Sequence, residues 1–324
     1  MNNRLKQWRR ALGVAAAAVF LMTSFPASAL DNLKFLVPAN PGGGWDQTGR
    51  SLQAAMQKEG IVKNVTVENK GGAGGSIGLA HFVTSSKGDG NALMVGGAVM
   101  VGALITNKSP VKLLQVVPIA RLTGEYDIIA VPADSKVRTM KELVAQLKQN
   151  PGSVSWGGGS KGGIDHILAA LIAQDAGVDP AKVNYIAYSG GGEALAAVVG
   201  GHVTAGVSGY GEFEGQLKAG KLRALAISSE KRIPGIDIPT LKEQGINVEL
   251  GNWRAVFGAP ELSEAQRKEL VATLDKTVKT KTWQETLAQK SWTDLYLTGD
   301  AFAKFVAAED ARIGKIIERL GMAK

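Results

Sequence analysis

Apolar positions along the chain repeat one phrase: a short β-rich run, a glycine-rich loop, then a stretch with helical spacing. The phrase begins with LKFLVPANPGGGWDQTGRSLQAAMQKEG, where Leu52, Ala55 and Met56 form an apolar stripe and Gly60 stands where a helix would end. It returns in VTVENKGGAGGSIGLAHFVTSS, with Val65 and Val67 alternating before the loop and Ser76 placed to cap the next helix. In SVSWGGGSKGGIDHILAALIAQDAG, Ile164, Ile167, Leu168, Leu171 and Ile172 share one helical face, and Gly177 fits the residue after the helix end. VNYIAYSGGGEALAAVVGG follows, then a looser copy, HVTAGVSGYGEFEGQLKAG, leading into the strand KLRALAI. Two amphipathic segments close the chain, LSEAQRKELVATLDKTV and TGDAFAKFVAAEDARIGKIIERLG, with Ser263 and Asp300 as predicted caps.

Strands alternating with helices predict an α/β protein with parallel sheets. In such sheets ligands bind beyond the carboxyl ends of the strands, where these glycine loops lie. A glycine admits a ligand close to the backbone, and the helix that follows points N–H groups and a positive dipole end at it. Several such ends around one cleft make an anion site with few cationic side chains.

The first 29 residues stand outside this pattern. A basic leader, MNNRLKQWRR, precedes the apolar ALGVAAAAVFLM and the small-residue site ASA, which predicts a secretory signal peptide cut near Ala29. The apolar run is shorter than the roughly 20 residues a membrane span needs. Arg9-Arg10 also admits twin-arginine export. Removing the leader's four cations from the 37 basic residues leaves 33 against 29 acidic ones, a charge of +4. That mild excess, without a dense Lys/Arg run, argues against nucleic acid and favours small anions. The chain has no cysteine, which excludes disulfides, thiolate metal sites and an N-terminal lipid anchor. An exported chain with no anchor points to the periplasm, and the roughly 295 residues after the leader predict two lobes.

Three motifs suggest enzymes. GGGSKG (157–162) has the G-x-G-x-x-G spacing, but the next strand ends in Tyr188 and Ser189, not the acid a dinucleotide site uses. GQLKAGKL (215–222) approaches a P-loop, with leucine in place of the magnesium-binding hydroxyl and the elements in reverse order. No cofactor is expected. GGSIG and GGSKG fit the nucleophile elbow around Ser76 and Ser160, so a secreted serine hydrolase is the alternative reading; helix capping also explains both serines. His81, His166 and His202 stand apart, without metal-ligand spacing, so no metal is expected. His166, in the first turn after the third loop, is open to either a ligand-facing or a structural role. Asp46 is expected to cap the first helix, and Trp45 to wall the pocket.

Together PANPGGGWDQTGR, ENKGGAGGSIG, GGGSKGGIDHILAAL, YSGGGEALAAVVGGHV, GKLRALAISSEKRIPGIDIPTLKEQG and NWRAVFGAP resemble the substrate-binding receptors of tripartite tricarboxylate transporters, the Bug-type family of periplasmic solute receptors. The resemblance runs in order through nearly the whole chain after the leader. It implies a type II-like periplasmic binding protein fold, with residues 30–128 and 252–324 as one lobe and 129–251 as the other. The chain would cross between them near 126–131 and 249–253. It implies a carboxylate held by backbone N–H groups, hydroxyls and ordered waters, with no catalysis. The first lobe would contribute Gly43, Gly44, Trp45 and Asp46, with Ala73, Gly74, Gly75 and Ser76. From the second would come Gly159, Ser160, Lys161, Gly162 and Gly163, then His166, Tyr188, Gly190, Gly191 and Ser208. The GGGWD form of the first loop resembles tricarboxylate-type receptors, which tilts the expected ligand toward citrate. Lys161 either balances an additional carboxylate or is solvated. The resemblance further implies a monomer delivering solute to a permease of one large and one small membrane subunit; a sensor passing a carboxylate signal to a membrane kinase would share the cleft.

Overall fold

A computed structural model describes residues 30–323, so the predicted leader lies outside the described residues. β1 (Asn32–Val37) buries Leu33, Phe35 and Val37 and is followed through the first glycine loop by α1 (Gly44–Lys58), whose Leu52, Ala55 and Met56 are fully buried. β2 (Asn64–Asn69), α2 (Ser76–Ser85), β3 (Ala92–Gly97) and α3 (Ala98–Thr106) complete the first group. Strands β2, β1 and β3 lie side by side in parallel, as the repeated phrase predicts.

β4 (Val117–Pro132) then runs for 16 residues and crosses the molecule. Beyond it come α4 (Met140–Gln149), β5 (Ser155–Gly158), α5 (Ile164–Asp175), β6 (Asn184–Ala187), α6 (Gly191–Val199), β7 (Ala205–Gly209), α7 (Tyr210–Lys218) and β8 (Leu222–Ile227). Strands β6, β5 and β7 form a second parallel trio. The chain returns through β9 (Gly251–Gly258) and ends in α8 (Glu264–Val278), α9 (Lys281–Gln289), β10 (Thr293–Thr298) and α10 (Gly299–Arg319).

The strands joining the trios run antiparallel. β3 pairs β9, and β9 pairs β4 as far as Tyr126; from Asp127 onward β4 pairs β7 and β8 instead. One strand therefore belongs to both sheets, and its polar stretch Gly124-Glu125-Tyr126-Asp127 falls at the changeover. β10 adds to the outer half of β4, also antiparallel. Trp253 of β9 packs edge-on to Phe302 and Phe305 of α10, anchoring the last helix to the first sheet.

Three caps differ from expectation: Ser76, Asp300 and Asp46, which lies within the first turn of α1 behind the cap residue Gly43. Ser263 caps α8 as predicted, accepting from the Gln266 N–H. Ser76 is instead the first residue of α2: Gly74 and Gly75 both take positive φ, which turns the chain early and lets the Ser76 hydroxyl donate to the Ala73 carbonyl, 2.5 Å away. Asp300 lies inside the first turn of α10, whose cap position is Thr298.

The two halves touch along the mouth of the cleft. The Asn40 N–H donates to the Ser189 carbonyl at 3.4 Å, and its side-chain amide reaches Glu193. Gly43 lies against Gly191, and Gly102 of α3 lies against the Gly162 carbonyl. A side chain at Gly43 or Gly102 would overlap backbone of the opposite half, so glycine is what allows this approach.

Candidate functional site

All five helices of the repeat, α1, α2, α5, α6 and α7, have glycine at the cap position (Gly43, Gly75, Gly163, Gly190 and Gly209) and no side-chain cap bond. Their first N–H groups are thus available to other partners. The α1 and α6 ends come from opposite halves and meet over a cleft with about 60 Å³ of free volume.

The predicted residues divide on this geometry. Gly43, Gly44 and Trp45 line the cleft, as do Gly159, Ser160, Gly190, Gly191 and Ser208. Asp46 does not: its carboxylate reaches back to the Gly42 N–H at 3.0 Å and binds Arg50 and Asn69, fastening the first loop from behind. Burial alone would raise its pKa, but the Arg50, Gly42 and Asn69 hydrogen bonds outweigh burial and hold it below the ordinary value. Ala73, Gly74, Gly75 and Ser76 also fall outside the lining, because Gly74 packs on Ala103 and Gly75 beneath the Trp45 ring. The second loop therefore buttresses the tryptophan wall.

Lys161 is exposed, and Gly162 and Gly163 are spent on packing against α3. His166 accepts from the Gly162 N–H at Nδ1 and stacks on Tyr185 with ring centres 4.2 Å apart. Burial, then the charge of Lys161, pushes its pKa down to about 4, so the ring is neutral and structural. Tyr188 donates its N–H to the Gly158 carbonyl and stays outside the lining. Neither proposed nucleophile is set up for attack: among the described residues no hydrogen bond joins Ser76 or Ser160 to a histidine. Among those residues, too, no group of three or more His, Asp or Glu side chains is arranged to hold a metal ion.

The floor carries what the sequence reading missed. Arg254 on β9 is 2% exposed and lines the cleft. Its Nη2 donates to Glu125 and, at 2.8 Å, to Glu212 at the start of α7, while Nη1 has no partner. Asp165 accepts from the Gly159 N–H at 2.6 Å, and Asp127 lies beside it with both oxygens unpartnered. Asn252 completes the floor with a free Oδ1. Two buried carboxylates, Glu125 and Glu212, thus bind one guanidinium, and two more, Asp127 and Asp165, stand against each other and Glu212.

Such crowding in a dry site favours protons. Burial, then the charges of Asp165 and Glu212, drives the Asp127 pKa well above the carboxylate range. Glu212 is pushed up to about 8 by burial and Asp165, against the opposing pull of the Ser208 hydroxyl, the Gly44 N–H and Lys290. Burial lowers Arg254 to about 9, so it remains a cation at neutral pH.

A stability prediction follows from Asp127, which is 0% exposed. A carboxyl whose folded pKa is raised contributes most below its unfolded value, and that contribution disappears as pH climbs through the folded value. Asp127→Asn keeps the shape, and its amide can donate to Asp165 or to the free Asn252 oxygen. The variant will gain about 1–3 kcal/mol at pH about 8, the cost of an unsatisfied buried polar group, and little at pH about 4. Urea denaturation at the two pH values measures this; equal gains at both would refute it.

Two mixed sheets sharing one long strand, with a cleft between helix ends of opposite halves, define a periplasmic binding protein. The structure of the periplasmic binding protein BugD superimposes with a TM-score of 0.82 at 24% identity, over 90% of this chain and 98% of that one. MatC from Rhodopseudomonas palustris, solved with bound malate, gives 0.77 at 23% identity, over 88% and 98%. A Cupriavidus necator protein described as "UPF0065 protein in gbd 5'region" is 31% identical over 96% of each chain. The family model "Tripartite tricarboxylate transporter family receptor" matches residues 49–322. The chain belongs to that family.

Proposed function

We propose that this protein is a periplasmic receptor for a small di- or tricarboxylic acid, with citrate-like acids first, that closes over its solute and presents it to a membrane permease of one large and one small subunit. The observation that carries this is the meeting of the α1 and α6 N-termini over Arg254, whose Nη1 is free and buried. Aligned N–H groups and a positive dipole end favour a carboxylate, and a desolvated guanidinium binds it in paired hydrogen bonds. MatC, which shares the fold, holds malate, a ligand of this class. The Trp45 wall and the GGGWD loop support the tilt toward citrate.

Residues 30–128 with 252–324 would move as one lobe and 129–251 as the other, hinging where β4 changes partners and where the chain re-enters β9. Closure is driven only by contacts better made in the closed form. Charge-assisted hydrogen bonds of about 1.5–3 kcal/mol each, made to the second lobe, suffice. In the cell the chain would act as a monomer after removal of residues 1–29.

A thermal-shift screen against citrate, isocitrate, malate, succinate and adipate tests the reading. A bound acid at 100 times its Kd adds about 2.7 kcal/mol to native stability, and calorimetry gives its affinity. No shift with any acid at millimolar concentration would reject the carboxylate class.

A further inference from the structure

The seat just described already holds a carboxylate, and it belongs to the chain. Glu212 reaches from α7 to the junction of the two halves. One oxygen is 2.8 Å from Arg254 Nη2. A Cβ on Gly44 would overlap the guanidinium and crowd that oxygen, and a Cβ on Gly191 would overlap the other oxygen. The side chain is therefore wedged between the first residues of α1 and α6, at the point where their dipole ends converge. Arg254 and Asn252, each at least nine-tenths buried, line the same cleft, and Arg254 Nη1 and Asn252 Oδ1 are buried without partners. The site is thus built for more polar contacts than Glu212 alone makes.

We propose that Glu212 is a built-in occupant of the carboxylate seat, and that a solute carboxylate binds by displacing it from Arg254 and from the α1 and α6 helix ends. The inference rests on the reading of the cleft as a carboxylate receptor. Arg254 already answers Glu125 and Glu212, and a third carboxylate at the same guanidinium and helix ends would add like charge a few ångströms away, where it repels strongly. The solute thus competes with an internal anion, and its affinity depends on the charge of Glu212.

The groups facing Glu212 set the sign of the pH dependence. β9 supplies Arg254, β4 supplies Glu125 and Asp127, α5 supplies Asp165, β7 supplies the Ser208 hydroxyl, and α1 the Gly44 N–H. Lys290, just after α9, adds a distant positive charge. Acids outnumber bases, so deprotonation of Glu212 adds charge where an anion must enter. Rising pH weakens carboxylate binding, and neutralising this one side chain removes the effect.

The test compares wild type, Glu212→Gln and Glu212→Ala. Calorimetry with citrate, malate and adipate at pH about 6 and about 8.5 reads the competition. Wild type should lose tenfold or more in affinity at the higher pH, and Glu212→Gln should keep its affinity and exceed wild type there by tenfold or more. Small-angle scattering with no acid added reads the occupant itself: Glu212→Ala, lacking the bridge between the halves, should show a larger radius of gyration than wild type. Equal or weaker binding by Glu212→Gln at both pH values would overturn the inference and make Glu212 an acceptor for a donor group on the solute, such as an ammonium. An unchanged radius of gyration in Glu212→Ala would overturn it without reference to any solute. If no acid binds either protein at either pH, the carboxylate reading itself fails, and the inference falls with it.

Discussion

Arg254→Met will lower the stability of the fold by about 3–5 kcal/mol at pH about 8, the cost of removing one partner from a buried ion pair, and will abolish carboxylate binding. The methionine fills most of the space, so packing is not what is lost. The loss is electrostatic: Glu125 and Glu212 both bond to this guanidinium, and Asp127 and Asp165 interact with Glu212. Without the cation the floor has four carboxyls and no buried countercharge, and the proton must neutralise them. Their folded pKa values then rise further above the unfolded ones. Stability from such groups is complete below about pH 4, the unfolded range, and drains away as pH rises through the raised values. The deficit of Arg254→Met should therefore shrink toward acid pH, as it does for any carboxylate–cation pair once the acid is protonated, but over the range set by the raised pKa values. Urea denaturation across pH about 4–8 reads this directly. Arg254→Lys restores a charge but not the fork, so it should recover much of the stability and little of the binding. A deficit under 1 kcal/mol at pH about 8 would mean that the carboxyls are neutralised by other means, and would remove Arg254 from the centre of the account.

The parts of the molecule legible in the sequence are those set by local chemistry. Glycine loops and helical stripes announce themselves within a dozen residues, and the stripes on α1 and α5 are buried as their spacing predicts. The floor of the cleft was not legible in the same way. Glu125 and Asp127 sit on β4, in a polar stretch that reads as a linker until β9, β7 and β8 bury it from both sides. Their spacing of two is the one local clue, since alternate residues of a strand share a face. Arg254 offers a similar clue, a charge inside the apolar run of NWRAVFGAP, where only a buried partner makes it tolerable. Asp165 was passed over for its neighbour His166, though one step along a helix turns the side chain by about 100°, enough to aim the acid at the floor and the ring at Tyr185. Glu212 had no clue at all: an acid in the first turn of a helix is ordinary, and only tertiary packing brings it between two other helix ends.

Gly191→Asp carries the largest effect on function with the least on folding. Gly191 is the first residue of α6 and lies on the second half's side of the cleft, against Gly43 of the first. An acid in a helix's first turn interacts favourably with the dipole by about 0.3–1 kcal/mol. The overlap with the buried Glu212 carboxylate offsets this gain, so melting temperature should fall modestly while the fold persists. Closure is another matter. Any side chain at this position overlaps the Glu212 carboxylate and must push it from its place between the helix ends, disturbing the bridge to Arg254 across the two halves, while the Gly43 Cα stays at ordinary contact distance. The added carboxylate also takes the α6 N–H groups for itself and repels an incoming anion. Steric and electrostatic terms act in the same direction, and affinity for any acid identified by screening should fall at least 100-fold, or about 2.7 kcal/mol at 1.4 kcal/mol per decade. Gly191→Ala separates the two: it keeps the steric block and lacks the charge, so the difference between the variants measures the repulsion alone. Scattering should show both variants more open than wild type. Binding by Gly191→Asp at wild-type affinity would place the solute on the α1 side of the cleft only, and closure of the two halves would no longer be needed to hold it.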